Sequence, residues 1–245
     1  MKFDGKTAIV TGAANGLGKA TAIKLAQAGA KVAIIDIDQE KLETLSNSIR
    51  TGGGEALAFT VDITKNADVK AVVAEITANF GHIDILVNNA GAGWHKQLLF
   101  KDTPEEDWEW ILDLNVKGTL YFTHAVLDNM VARKYGKIIN IASISAKTGI
   151  AKLAVYSASK GAVVSFTKAL AMELGPYNIN VNCISPGLIS NDGVASATNE
   201  TFLGRKGTAE EMASLIAFMA SDEASYITGV DYLIDGGRTL GPRGA

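Results

Sequence analysis

The sequence predicts an α/β protein: one domain on a doubly wound parallel sheet of about seven strands, with helices on both faces. Three observations predict it. Short β-branched, apolar runs alternate with helical patterns along all 245 residues. The runs are apolar at consecutive positions, as strands buried on both faces of a parallel sheet are. A glycine-rich turn joins the first run to the first helical pattern, where such sheets cradle phosphates.

The elements follow in order. Residues 7–10 form a first strand, and residues 19–28 a helix closed by Gly29. Residues 31–35 are the second strand. Residues 38–50 are a polar helix broken by Gly52, Gly53 and Gly54. Residues 56–61 are the third strand, 68–80 a helix closed by Gly81, and 83–87 the fourth strand. Thr103-Pro104-Glu105-Glu106 has the pattern of a capping box with proline at the first helical position, so a helix starts there and runs through Asn115 toward Arg133. Residues 137–142 are the fifth strand, and 155–174 a long helix ended by Gly175-Pro176. Residues 179–184 are the sixth strand. Thr208-Ala209-Glu210-Glu211 is a second capping box, opening a helix to about Ala220, and residues 230–234 are the last strand. Repeated βα units with no linker or repeat between them imply a single sheet covered on both sides.

Bulk properties exclude several classes. Hydrophobic residues are 47% and charged residues 20%, which places the chain among globular proteins. The net charge is −3 and no Lys/Arg run stands out, which argues against a nucleic-acid partner. Cys183 is the only cysteine, so neither an internal disulfide nor a cysteine metal cluster can form. Three scattered histidines add no metal-ligand set, so no metal is expected. The start, Met1-Lys2-Phe3-Asp4-Gly5, lacks the apolar stretch of a signal peptide, and no segment has the apolar length of a membrane span. A cytoplasmic protein is expected.

After the first strand comes Thr11-Gly12-Ala13-Ala14-Asn15-Gly16-Leu17-Gly18. Gly12 permits the tight turn, Gly16 lets backbone approach a pyrophosphate, and Gly18 lets helix pack on strand, while the helix N-terminus offers free N–H groups. Such glycines alone are weak evidence, but the flanking strand and helix strengthen them. Asp36, with Ile37 beside it, ends the second strand. A carboxylate there accepts the ribose hydroxyls of an adenosine and repels a 2′-phosphate. No Arg or Lys at positions 15 or 37 would neutralise a phosphate, so the cofactor expected is NAD rather than NADP.

The chemistry points to Ser143, Tyr156 and Lys160. Ser143 lies just past the fifth strand. Tyr156 and Lys160 are four apart on the next helix and so share a face. A nearby ammonium favours a phenolate over a phenol, which suits a tyrosine to proton transfer as a hydride leaves or enters carbon. Ser143 can hold the same oxygen. Read alone, a Tyr-x-x-x-Lys pair is more often a packed ring with a solvated lysine.

The combination is more specific. The chain resembles the short-chain dehydrogenase/reductase family from end to end. The matching motifs are residues 11–18, Asp62, Asn88-Asn89-Ala90-Gly91, Asn115 in Asn-Val-Lys-Gly, Ser143, Tyr156 with Lys160, Ser185-Pro186-Gly187, residues 220–229, and Asp235-Gly236-Gly237. The resemblance implies that Asp62, with Ile63, contacts the adenine amine. It implies that Asn89, Ala90 and Gly91 line the adenosine side and support the central strands. Lys160 would also hold the nicotinamide ribose, and Asn115 a water linking Lys160 to solvent. Pro186, Gly187 and Ile189 would flank the nicotinamide. One departure is Asn191, preceded by Ser190, where the family often has a threonine against the carboxamide; either polar side chain can substitute.

Substrate choice is expected from two loops, about 92–100 and 188–204. Trp94 offers an aromatic wall and His95 or Gln97 a polar contact, although loop packing explains them equally well. Ser145 joins them as a candidate substrate contact. The second loop is short and rich in Ser, Asn, Thr and Gly, which suggests a small or mobile lid over an open site suited to a bulky substrate. His124 reads as core or interface, and His82 as solvated. Trp108 and Trp110 cannot share a helix face, so at least one meets the core or a subunit. Relatives pair through the helices carrying Asn115 and Tyr156, so a homo-oligomer, dimer or tetramer, is expected. A related partner subunit is an alternative. Tyr121-Phe122 and Val163-Val164-Ser165-Phe166 offer apolar surface for pairing.

The function expected is an NAD-dependent oxidoreductase interconverting a secondary alcohol, such as a 3-hydroxyacyl thioester or a cyclic or aryl alcohol, and its ketone. A 3-oxoacyl-thioester ketoreductase of fatty-acid type is the alternative, although Asp36 and the Trp94 loop speak against it. An alternative of another class is a non-catalytic NAD-binding subunit. Retention of Asn115, Ser143, Tyr156 and Lys160 argues for catalysis.

Overall fold

The computed structural model describes residues 1–93, 97–190 and 193–241. Seven strands form one parallel sheet in the order β3-β2-β1-β4-β5-β6-β7. They are β1 (Thr7–Thr11), β2 (Lys31–Asp36), β3 (Glu55–Thr60), β4 (Ile85–Asn88), β5 (Gly136–Ile141), β6 (Ile179–Pro186) and β7 (Asp231–Ile234). The helices are α1 (Gly16–Gln27), α2 (Gln39–Thr51), α3 (Asn66–Phe80), α4 (Glu105–Leu112), α5 (Gly118–Arg133), the short α6 (Ser145–Thr148), α7 (Ala154–Leu174) and α8 (Ala209–Ala220). This is the doubly wound, Rossmann-like architecture that the alternating pattern predicts.

The strand pattern explains the layers. Successive side chains of a strand point to opposite faces. Along β1, Ala8 and Val10 join a core with Leu25 of α1, Leu45 of α2 and Ile216 of α8. Ile9, between them, joins the opposite core with Val72 of α3, Val126 of α5 and Leu170 of α7. A strand buried on both faces must be apolar throughout, and β1 is. β1 pairs with both β2 and β4, so the winding reverses there and a crevice opens at the carboxyl ends of these strands.

The second capping box forms as expected: the Thr208 hydroxyl accepts from the Glu211 amide at 3.3 Å, and the Glu211 carboxylate accepts from the Thr208 amide at 2.9 Å. The first does not. α4 begins at Glu105 with Pro104 as its cap, and the Thr103 hydroxyl donates to the Leu99 carbonyl at 3.1 Å. A 3₁₀ turn at Phe100–Asp102 gives that hydroxyl a nearby carbonyl that competes with capping. The expected continuous helix through Asn115 is also interrupted, by a π turn at Asp113–Lys117.

Several side chains depart from expectation. His124 is exposed on α5, so of its two expected places, core or interface, the core is excluded. His82 Nε2 lies 3.0 Å from Oδ2 of the buried Asp84 instead of being simply solvated. Phe122 and Val163 face the interior, so the apolar stretches read as pairing surface reduce to Tyr121, Val164 and Phe166. No helix among the described residues is long and apolar enough to cross a membrane.

Candidate active site

The crevice holds two neighbouring cavities that share Asn89 and Gly91 on their walls. The larger, about 840 Å³, lies over the β1–α1 turn and the end of β2, and Gly12, Asn15, Gly16, Asp36, Ile37, Asp62, Ile63 and Ala90 line it. The smaller, about 440 Å³, carries Leu17, Ser143, Tyr156, Lys160, Pro186, Gly187 and Ile189. Residues from seven separate stretches of sequence thus meet in one place.

The β1–α1 turn at the larger cavity admits only glycine at two points. A Cβ on Gly18 would collide with the Gly12 carbonyl oxygen, and a Cβ on Gly12 would stand 2.8 Å from Cα of Ala90. Gly16 has φ of +49° and open space where a side chain would be. The α1 N-terminus has no side-chain cap and no acidic residue in its first turn, so its amides and dipole face the cavity unopposed. Asn89 secures the turn, donating from Nδ2 to the carbonyls of Thr11 and Gly12 at 2.9 and 3.0 Å. The Thr11 hydroxyl accepts from the amides of Asn89 and Ala90, each at 3.0 Å.

Asp36 is oriented by its own loop. Its carboxylate accepts from the amides of Ala14 (3.0 Å), Ile37 (2.8 Å) and Asp38 (3.3 Å). Asp62 accepts from the Thr64 amide and hydroxyl at 2.9 and 2.7 Å. Burial opposes ionisation of Asp62, but the two Thr64 bonds outweigh it and hold its carboxyl below the usual range. A dinucleotide fits these groups: bare amides and glycine for phosphates, and a fixed carboxylate for a ribose.

The smaller cavity brings the reactive side chains together. Lys160 is buried on α7, its Nζ donating to the Ile141 carbonyl at 2.9 Å and lying 5.9 Å from the Tyr156 ring centroid. Burial pushes the Lys160 ammonium down to about 8. The Ser143 hydroxyl accepts from the Ser145 amide at 3.1 Å. Cys183, behind Lys160 on β6, is a buried thiol pushed up to about 12 by burial. It stays a thiol near neutrality.

Asn115 lines neither cavity. Its amide clamps the residue after the Asn-Asn-Ala-Gly motif: Nδ2 donates to the Ala92 carbonyl at 2.8 Å, and Oδ1 accepts from the Ala92 amide at 2.9 Å. Nδ2 also donates to the Ser159 hydroxyl at 3.0 Å. Gly91 occupies the narrow space beside it, where a Cβ would lie 2.8 Å from Asn115 Oδ1 and 3.0 Å from Lys160 Nζ.

The substrate expectations fare less evenly. Trp94, His95 and Asn191 lie outside the described residues. Gln97 is exposed. Ser145 is buried, its hydroxyl is sealed without a hydrogen-bond partner, and its amide supports Ser143. It therefore buttresses the site instead of facing a substrate. The short lid is tied down: Gly207 exchanges backbone bonds with Leu188 and Ser190, both at 2.9 Å, and Lys206 donates to Ser196 at 2.9 Å.

Sequence reasoning missed part of the wall. Trp110 and Leu114 line the larger cavity, and Ala92 and Leu188 the smaller. Trp110 is 42% exposed there, whereas Trp108 stacks on Phe100 with centroids 4.9 Å apart. The signal was available: Trp110 is four residues before Leu114, so both share a face beside Asn115.

Fold and site together define an oxidoreductase built around a nicotinamide cofactor. A sequence profile described as Enoyl-(Acyl carrier protein) reductase matches residues 12–239. The chain is similar to the 3-oxoacyl-[acyl-carrier-protein] reductase FabG of Thermotoga maritima, 38% identical over 98% of this chain and 100% of that one. It is similar to the NAD-dependent glycerol dehydrogenase of Listeria innocua, 41% identical over 96% of this chain and 94% of that one. Among solved structures, NAD⁺-bound xylitol dehydrogenase superposes with a TM-score of 0.90 at 33% identity, covering 97% of this chain and 100% of that one. A short-chain type dehydrogenase/reductase from Mycobacterium ulcerans reaches 0.93 at 32% identity, covering 99% and 92%. The chain belongs to the short-chain dehydrogenase/reductase family.

Proposed function

We propose that this protein is an NAD-dependent dehydrogenase interconverting a secondary alcohol and its ketone, with Tyr156 as general acid/base. The observation that carries the reading is the convergence of Ser143, Tyr156 and Lys160 on one cavity beside a glycine-floored crevice guarded by Asp36. NAD bound across the crevice supplies the hydride acceptor. Gly12, Asn15, Gly16, Leu17 and Gly18 receive its phosphates, Asp36 and Ile37 its adenosine ribose, and Asp62 and Ile63 its adenine. Asn89, Ala90 and Gly91 form the floor between, and Pro186, Gly187 and Ile189 flank the nicotinamide.

Ser143 holds the substrate oxygen by a hydrogen bond. Tyr156 takes the hydroxyl proton in oxidation and returns it in reduction. Lys160 stabilises the tyrosinate and, from the same ammonium, reaches the nicotinamide ribose. Asn115 fixes the Ala92 backbone that borders Tyr156. The short lid supports a bulky substrate such as an acyl thioester or a ring alcohol. We also read the chain as one domain that forms a homo-oligomer through α5 and α7.

A screen of NAD reduction over hydroxyacyl thioesters, cyclic alcohols and aryl alcohols, run on wild type and Tyr156→Phe, tests the reading. Loss of the acid/base group should cut kcat about 10²- to 10⁴-fold. Full turnover by Y156F would instead favour a site that binds dinucleotide without this chemistry.

A second reading, a 3-oxoacyl-thioester ketoreductase, is favoured by the likeness to FabG proteins from Thermotoga maritima and Escherichia coli. The cofactor separates the two. The Asp36 carboxylate faces the position a 2′-phosphate would take, so kcat/KM should be higher with NAD(H) than with NADP(H). The reverse preference would reject the dehydrogenase reading.

A further inference from the structure

We propose that Gly93 is a positioning residue for Tyr156: lacking a side chain, it lets the backbone after β4 lie against the tyrosine ring and fix where the hydroxyl points. This rests on the reading of Tyr156 as the proton-handling group. At Gly93 φ is +151°, a conformation that side-chain-bearing residues rarely adopt. A Cβ there would collide with Cδ2 of Tyr156 and stand 2.9 Å from Cγ and 3.1 Å from Cε2. These are atoms of a buried, planar ring, which cannot step aside as the end of a flexible chain can.

The wall behind the ring is itself held. The Asn115 amide engages both polar backbone groups of Ala92, the residue before Gly93. Asn115 sits in the π turn at Asp113–Lys117, a local widening of the helix of the kind found at functional sites. The order of support is therefore π turn, Asn115, Ala92–Gly93, Tyr156. Among the described residues, the ring borders, besides the main cavity, a void of about 20 Å³ on whose wall Gly93 also lies. A void of that size holds about one water, not a displaced ring. Proton transfer requires the hydroxyl within hydrogen-bond reach, and a misplacement of about 1 Å costs on the order of 10²-fold.

The test compares Gly93→Ala with Gly149→Ala. Gly149 also has positive φ, +64°, in the segment leading to α7, but nothing lies within 4 Å of its Cβ. It therefore carries backbone strain without the ring collision. G93A should lose on the order of 10²-fold in kcat and, as an overpacked position, several degrees in Tm, while KM for the dinucleotide stays close to wild type, and G149A should keep kcat. Added to Y156F, G93A should cost nothing further, because the hydroxyl it misplaces is already gone. With ring-labelled tyrosine, the Tyr156 resonance is identified by its absence in Y156F. It should move in G93A and not in G149A, with neither substrate nor cofactor present.

Full turnover and an unmoved resonance in G93A, or an equal loss in G149A, would overturn the proposal. If G93A does not fold, the wild type decides: a nuclear Overhauser contact between the Gly93 α-protons and the Tyr156 ring supports the inference, and its absence rejects it. A moved resonance in a protein whose wild type oxidises no alcohol would instead reject the dehydrogenase reading and leave the packing intact.

Discussion

The two rims of the crevice are held by different means. The rim at the ends of β1, β2 and β4 is fixed by backbone. Asp36 and Asn89 direct their polar atoms at neighbouring amides and carbonyls, and Gly12 and Gly18 close the gaps to contact distance. The opposite rim, in its described residues 188–190 and 193–207, is laced by its own backbone bonds and latched by surface ions. Arg205 grips Glu211 of α8 through its two terminal guanidinium nitrogens at 2.9 and 2.6 Å, and Arg238 meets Glu200 at 2.7 Å. Val194 and Leu203 on that rim remain exposed. The first rim has no slack and suits a ligand of constant shape. Exposed ion pairs hold the second rim by about 0–1 kcal/mol each, so it can adapt to different substrates.

The largest effect should come from breaking the rigid rim. Gly18→Ala drives a Cβ into the Gly12 carbonyl and to 2.6 Å from Asn89 Nδ2. Neither partner can yield without losing the turn, so overpacking should cost about 1–3 kcal/mol of stability. Dinucleotide affinity should fall at least about tenfold, the equivalent of about 1.4 kcal/mol. Calorimetric titration together with a urea midpoint checks both. Unchanged affinity in a folded G18A would mean that this turn does not set the cofactor site.

A smaller effect, with the opposite sign for stability, is expected at Lys160. Its folded value is about 8, against 10.5 for the free side chain. Between those values the unfolded chain binds more protons than the native one, so native stability rises with pH across that window. Below pH 8 the cost of burying the charge stands in full, about 3 kcal/mol from the size of the shift. Lys160→Met removes that cost and loses one hydrogen bond to Ile141, worth about 1 kcal/mol. The net gain at pH 7 should be about 1–2 kcal/mol, or a few degrees in Tm, alongside loss of turnover. The gain should shrink from pH 8 to 10.5. A K160M protein less stable than wild type at pH 7 would show that the ammonium is a structural asset rather than a cost borne for catalysis.

The same division explains what was legible in the sequence. The rigid rim shows in local constraints, a glycine where a turn needs one and a carboxylate at a strand end, and the reactive pair on α7 shows likewise, with Tyr156 and Lys160 one helical turn apart. Those spacings are short and survive in one dimension. The sheet was legible for the same reason, since Ala8, Ile9 and Val10 must be apolar if both faces are covered. Other features have no spacing or period that announces them. Thr103 has the right neighbours for a cap, yet the 3₁₀ turn before it supplied a competing carbonyl. The π turn at Asn115 has no sequence period of its own. Ser145 sits two residues from Ser143 but turns inward as α6 begins. Gly93 looks like any loop glycine until Tyr156, 63 positions later, is folded against it.

The smallest effect should fall on the latch of the adaptable rim. The Glu211 carboxyl is held down to about 2, first by the Arg205 guanidinium and then by the Thr208 amide. Its ordinary value is 4.5, so the stability it contributes is present above pH 4.5 and is lost as pH falls from there toward 2. The pair is partly exposed, 38% and 42%, so solvent screens it and the full shift does not convert into energy. Glu211→Gln should cost about 0.5–1 kcal/mol at pH 7, with the deficit fading at low pH or high salt. If residues 188–207 form the substrate-facing rim, E211Q should also raise KM for substrate while leaving KM for the dinucleotide unchanged. A substitution that moved the dinucleotide KM and spared the substrate KM would mean that the two rims are not independent, and that the latch on α8 reaches the rigid side through the sheet.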